Sequence, residues 1–251
     1  MTAKLVSLTE HVVPGEKIEL AVVFTMVNDW HIYWQNPGDA GMATFFDWQM
    51  PDGFEVVSEL EPAPVRYVED GITTFIHEEE AIYLFTLQSP ETLDDSVRIW
   101  VNVDWLECKS ICLTGFANLS VKLPVSTDKI NLPLELIEVG MRARAALPME
   151  APNLTRSASI KEDELTLTLR GFHSAMWDIR EIDFFPEDEL VYDISVRPQL
   201  KKFFLSRRLI IPLLSDREED PIVVKGVLAI RPAAPKSAQT QYYYIDQTIK
   251  P

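Results

Sequence analysis

Lys17-Ile18-Glu19-Leu20-Ala21-Val22-Val23-Phe24 follows the turn pair Pro14-Gly15 and begins with polar and apolar residues in alternation. A period of two, carried by β-branched and aromatic side chains, reads as a β-strand. The pattern repeats on the C-terminal side. Trp30–Trp34 is short, aromatic and alternating, and it stops at Asn36-Pro37-Gly38-Asp39, a strong turn signal. Phe45–Trp48 precedes the turn Pro51-Asp52-Gly53. Ile82–Leu87, Val97–Val103 and Phe116–Leu123 continue the series, and Pro124 closes it. About seven short strands, with turns every 8–12 residues or so, predict an antiparallel sandwich.

Residues 126–150 break the pattern. Asn131 is placed to cap a helix, Pro133 suits its first turn, and Leu134, Ile137, Met141 and Ala145 fall at helical spacing. Arg142 and Arg144 suit the C-terminal end of the helix dipole, and Pro148 and Pro152 end the segment. It reads as a helical connector. Beyond it, Glu164-Leu165-Thr166-Leu167-Thr168-Leu169 alternates cleanly. Ile179–Phe185, Leu190–Val196, Arg208–Leu214, Ile222–Ile230 and Gln241–Ile245 read as further strands. Lys201-Lys202 and Arg207-Arg208 suggest a solvated hairpin. The expected fold is all-β: two antiparallel sandwiches, residues 1–125 and 151–251, joined by the short helical connector 126–150.

Composition removes several classes of function. The 251 residues include 23 Lys+Arg and 39 Asp+Glu, a net charge of −16, which opposes binding to nucleic-acid phosphates. The acidity is uneven: residues 1–125 hold 6 basic and 20 acidic residues, residues 126–251 hold 17 and 19. No apolar run approaches the roughly 18 residues of a spanning helix, so no membrane span is expected in this chain. Met1–Val6 lacks the pattern of a signal peptide, which leaves a cytosolic chain and a mature segment both open. There is no Gly-rich phosphate loop, no G-x-S-x-G elbow, and no metal-ligand spacing among His11, His31, His77 and His173. Glu78-Glu79-Glu80 reads as a solvated loop.

The two cysteines, Cys108 and Cys112, lie in Asp104-Trp105-Leu106-Glu107-Cys108-Lys109-Ser110-Ile111-Cys112-Leu113. Four steps of extended strand span about 13 Å. A disulfide requires Cα atoms roughly 4.4–6.8 Å apart, so a bonded pair forces the chain to fold back between them. As a staple such a bond is weak: closing about five residues gives roughly 2 kcal/mol. A tight pair is better suited to exchange, in which one thiolate attacks and its neighbour resolves the mixed disulfide. A local staple or two buried free thiols, and soft-thiolate ligation of copper with a histidine such as His77, stay open as alternatives. Asp104 and Glu107 oppose thiolate formation and Lys109 favours it.

Trp30-His31-Ile32-Tyr33-Trp34-Gln35-Asn36-Pro37-Gly38-Asp39-Ala40-Gly41 resembles the W-H-x-Y-W-x-N-P-G-D-x-G segment of the N-terminal periplasmic region of DsbD-type membrane thiol:disulfide interchange proteins. The ScsB-like branch, linked to copper tolerance, is the nearest in pattern. Gly71-Ile72-Thr73-Thr74-Phe75 and Trp105-Leu106-Glu107-Cys108-Lys109-Ser110-Ile111-Cys112 extend the resemblance, with weaker echoes at Phe184-Phe185-Pro186 and Lys225-Gly226-Val227-Leu228. Glu107 stands where the family often has an apolar residue, and Leu113-Thr114 where it often has proline.

The resemblance implies an immunoglobulin-like domain whose redox-active pair, Cys108 and Cys112, takes electrons from a membrane-embedded thiol:disulfide reductase domain. It then passes them to periplasmic thioredoxin-fold proteins such as disulfide isomerases or cytochrome-maturation thioredoxins. Cys112 is the residue expected to join the partner. A cap loop is expected at Thr73, Thr74, Phe75, Ile76 and His77, with Phe75 as shield, and His31, Tyr33, Trp105 and Glu107 are expected to flank the pair. This reading calls for no cofactor and no metal, and it places the chain in the periplasm, as part of or beside an inner-membrane protein. The competing readings are a copper-tolerance module and a structural sandwich with a local disulfide.

Overall fold

The structure, a computed structural model, describes residues 1–126, 132–151, 154–169, 179–188, 190–202, 207–218, 220–233, 235 and 238–249. Its first strands are β1 (Thr2–Ser7), β2 (Lys17–Thr25), β3 (His31–Gly38), β4 (Phe45–Gln49), β5 (Glu55–Leu60), β6 (Val65–Glu69), β7 (Ile72–Glu78), β8 (Glu80–Gln88), β9 (Ser96–Cys108) and β10 (Cys112–Pro124). Helix α1 (Leu134–Ala146) follows. Then come β11 (Met149–Glu150), β12 (Thr155–Lys161), β13 (Glu164–Leu169), β14 (Ile179–Pro186), β15 (Gln199–Lys202), β16 (Arg207–Pro212), β17 (Val223–Pro232) and β18 (Gln241–Thr248). Two compact units result. The first holds residues 1–37, 41–65 and 76–147; the second holds 38–40, 66–75 and 148–251.

In the first unit the antiparallel sheet β1-β2-β8-β5 faces a second sheet in which β10, β9, β3 and β7 are successive neighbours and β4 also pairs with β9. Between them lies a core of Ile18, Leu20, Val22 and Phe24 from β2, Tyr83, Phe85 and Leu87 from β8, and Val97, Ile99, Val101, Val103 and Trp105 from β9. The spacing of two along each strand is why one face of each is buried. On the other face of the first sheet, Val139 and Ala143 of α1 pack on Ala21, Ile82 and Leu84. β2 and β8 are therefore covered on both sides, which explains their nearly continuous apolar runs. The ion pairs Arg142–Glu80 and Arg144–Glu19 fasten the helix rim.

The helix buries a different stripe from the one its spacing predicts. Leu134, Ile137 and Met141 are exposed, whereas Val139, Gly140 and Ala143 are buried, because small residues permit close approach to the sheet. Asn131, the expected cap, lies outside the described residues, as do Pro152 and His173.

The second unit packs sheet β11-β18-β17-β14 with sheet β12-β13-β16-β15. Its core includes Leu165, Leu167 and Leu169 of β13, Leu209 and Ile211 of β16, Phe184 of β14, and Val224, Leu228 and Ile230 of β17. The basic hairpin is present, with Lys201 opposite Arg208 and Lys202 opposite Arg207.

Two expected boundaries move. The segment Leu190–Val196 is not a strand; it makes a single bridge, Tyr192 to Leu213. Asp193 Oδ1 accepts from the backbone N–H and the hydroxyl of Ser195, and Asp188 accepts from the N–H of Leu190, so local side chains occupy donors that a ladder would use. Conversely, β3 runs through Asn36-Pro37 to Gly38 before turning. Gly38 has φ +85°, and a Cβ there would stand 2.6 Å from the Thr73 carbonyl oxygen, so a larger residue would not fit.

Candidate functional site: a disulfide at the tip of a long hairpin

β9 and β10 pair without a register shift from Ser96 opposite Pro124 to Cys108 opposite Cys112. Between the cysteines, Lys109-Ser110-Ile111 makes the turn, with the Lys109 N–H donating to the Ile111 carbonyl at 3.0 Å. Ladder and turn together bring the two Cα atoms to 4.1 Å, and the sulfurs are bonded. The two ends of the bond differ: Cys108 is 3% exposed, whereas Cys112 lies open to solvent between the exposed Ile111 and Leu113. The Cys112 end of the pair thus faces solvent, and the Cys108 end lies inside.

The tip is held from the side. The Lys109 ammonium lies 2.9 Å from the Asp29 carboxylate and also donates to the Asn28 carbonyl. The cation nearest in sequence to the sulfurs is thus partly neutralised, which reduces its pull on a thiolate.

His31 sits directly across the β3–β9 ladder from Cys108. Its ring meets Tyr33 edge-on at 5.4 Å, and both side chains are buried. Tyr33 in turn closes over Gly41, where a Cβ would fall 2.2 Å from the ring. Trp105, three residues before Cys108, faces the core, meeting Phe24 edge-on at 5.4 Å and covering Gly115, its cross-strand partner. Glu107 is half-buried opposite Leu113.

The segment expected as a cap loop is the strand β7, and Thr73, Thr74, Phe75, Ile76 and His77 are all buried. Phe75 belongs to the second unit. Its ring meets Phe185 at 5.2 Å and carries the Arg66 guanidinium 5.2 Å above it. Arg66 is bidentate to Asp183, both bonds at 2.8 Å. Thr73 donates its N–H to Asp39 at 2.8 Å, and Asp39 returns its own N–H to the Thr73 carbonyl at 2.9 Å.

His77 lies in the first unit, its Nε2 3.0 Å from Glu61. Glu61 also accepts from the Tyr83 hydroxyl at 3.0 Å and from the Gln35 N–H at 3.1 Å. Burial, and secondarily the charge of Glu61, push the Tyr83 phenol well above its ordinary range, so it stays a donor. The sequence reading missed this Glu61-centred cluster; Glu61 stands in Glu59-Leu60-Glu61-Pro62, with no motif to mark it. Glu61 thus engages the Nε2 of His77, the histidine named in the copper alternative. Among the described residues no three His, Cys, Asp or Glu side chains converge as metal ligands.

Residues 2–124 match the family described as thiol:disulfide interchange protein DsbD, N-terminal. This part of the chain belongs to that family. The DsbD-type domain thus spans both sheets of the first unit up to the end of β10. The sequence matches none of the curated proteins. Among solved structures, the N-terminal periplasmic domain of ScsB from Proteus mirabilis aligns with 98% of this chain and 92% of its own, at a TM-score of 0.67 and 15% identity. That likeness covers the DsbD-type domain and the second sandwich together, and it gives both units the fold of the ScsB region. The DsbD N-terminal domain from Neisseria meningitidis, in its reduced form, aligns with 49% of this chain and 83% of its own at a TM-score of 0.31 and 7% identity. Residues 2–124 form a DsbD-type thiol:disulfide interchange domain that carries both cysteines of the chain as one pair, and no helix among the described residues is long and apolar enough to cross a membrane.

Proposed function

We propose that the chain is a periplasmic electron relay. A membrane-embedded reductase domain reduces the Cys108–Cys112 bond, and the resulting dithiol reduces thioredoxin-fold proteins. The observation that carries this reading is the asymmetry of the bond, with Cys112 open and Cys108 buried at a hairpin tip. In the reduced form, the Cys112 thiolate attacks one sulfur of the partner's disulfide, and the partner's other sulfur leaves as a thiolate and takes a proton. Cys108 then loses its proton to solvent and attacks Cys112 Sγ, releasing the partner's second thiolate. The Cys108–Cys112 bond re-forms, and two electrons have passed to the partner. The 4.1 Å Cα separation makes the second attack effectively intramolecular. Burial of Cys108, with His31 and Tyr33 beside it, supports selection of Cys112 as the sulfur that joins the partner.

Equilibration of the folded chain against a reduced/oxidised glutathione series tests the proposal. A relay bond titrates at a potential well above the roughly −300 mV below which inert structural disulfides lie. A bond that resists reduction until the protein unfolds would overturn the relay and leave a local staple.

A further inference from the structure

On β9 the residues 97, 99, 101, 103 and 105 point into the core, so Asp104, Leu106 and Cys108 share the outer face. Directly opposite residues in a sheet point the same way. Asp104 is opposite Phe45 of β4 on one side and Phe116 of β10 on the other, so the three form one rung across the sheet. Phe45 and Phe116 are 64% and 63% exposed, the most exposed aromatic rings among the described residues. The register enforces this, since the neighbouring Phe46 is spent inside against Tyr83 and Phe85. Asp104 is exposed as well and has no ion-pair partner among the described residues.

We infer that this rung is the seat of an arginine or lysine borne by the exchange partner beside its reactive cysteine; the inference rests on the relay reading above. Four considerations select this occupant. The β4–β9–β10 ladder sets an exposed phenylalanine on each side of Asp104, one strand spacing of about 5 Å away, so a cation drawn to that carboxylate has an aromatic neighbour on either flank. The same face already makes such a contact, with Arg98 over Trp100 at 5.9 Å. Residues 1–125, with 6 basic and 20 acidic residues, repel a second copy and attract a basic surface. Reactive cysteines of low pKa sit in electropositive surroundings, so the partner's exchange site supplies that charge.

The seat is also continuous with the sulfurs. The rung Leu106–Thr114 lies between it and Cys108–Cys112, and four strand steps place it about 13 Å from the disulfide, within a single docking footprint. On its far side a polar row closes the patch: Asn118 donates to Asn102 at 2.6 Å and Asn102 to Asp47 at 3.1 Å, an arrangement like the rim of a small interface.

The test uses the full reduced chain, an oxidised thioredoxin-fold protein with an arginine beside its active-site cysteine, and the same protein with that arginine replaced by glutamate. Phe45→Ser/Phe116→Ser and, separately, Asp104→Lys should each slow electron transfer to the arginine protein at least tenfold. Asp104→Lys should recover the loss with the glutamate protein. Reduction of the chain by dithiothreitol should stay at the wild-type rate, which shows that the fold and the disulfide are intact. Wild-type transfer rates in these variants would overturn the seat while the relay stands. Failure of the unsubstituted chain to reduce either protein would overturn the relay itself, and the seat with it.

Discussion

The β9–β10 hairpin of the first unit and the β17–β18 hairpin of the second are built by one rule and end differently. Each is a long antiparallel ladder with an inward apolar face: Val97 to Trp105 in one, Val224, Leu228 and Ile230 in the other. Only the first terminates in a three-residue turn that sets two sulfurs opposite each other. The sandwich thus fixes where the tip is, and the chemistry depends on a few residues at the tip. The second unit shows what the same architecture does without them. It keeps a core of fifteen buried residues among those described and offers no thiol.

The largest effect that would break this contrast is at Cys112. Cys112→Ser should abolish disulfide exchange, seen as loss of mixed-disulfide capture, while lowering unfolding free energy in urea by no more than about 2 kcal/mol, the worth of a five-residue loop. A loss well above that would make the bond structural and erase the difference between the two tips. Next is Phe75, buried with Phe185 and Arg66 in the second unit. Phe75→Ala should cost about 3–5 kcal/mol in the same denaturation experiment. Dithiothreitol kinetics on that variant sharpen the picture: faster reduction gives the ring a shielding role, and an unchanged rate assigns it to packing alone.

The smallest effect is at Tyr83. Its folded pKa lies above its ordinary value of 10.0, so between the two the folded state holds a proton that the unfolded state has lost. Stability should therefore fall as pH rises above 10. Tyr83→Phe should flatten that alkaline slope and cost about 1 kcal/mol at neutral pH through the lost bond to Glu61, measured as urea midpoints across pH.

Much of this was legible in the sequence, because burial on one face writes a period of two. Leu165, Leu167 and Leu169 are inside as their alternation predicts, and the fold-back between Cys108 and Cys112 follows from what a bonded pair requires. The strands that went unread lack a clean alternation: β7 buries five consecutive residues, Thr73 to His77, and β5 buries little. β5 presents Glu55, Val56, Val57 and Glu59 to solvent, so no alternation marks it. The β6–β7 hairpin did carry a signal: Asp70 and Gly71 both have positive φ, the arrangement that Asp-Gly favours in a two-residue turn. The helix face was misread because its partners were unknown. Leu134, Ile137 and Met141 satisfy helical spacing, yet the sheet accepts Val139, Gly140 and Ala143. The Glu61 cluster was invisible for a related reason, since Gln35, His77 and Tyr83 meet only after folding.

Residues 66–75 come early in the chain, yet their guanidinium and phenyl groups find Asp183 and Phe185, more than a hundred positions later. A polypeptide stopped after residue 125 would carry Arg66 stripped of its carboxylate and Phe75 stripped of its neighbouring ring. Such an orphaned pair favours clumping, so poor behaviour of the short piece would report the cut rather than any fault in the sulfur chemistry.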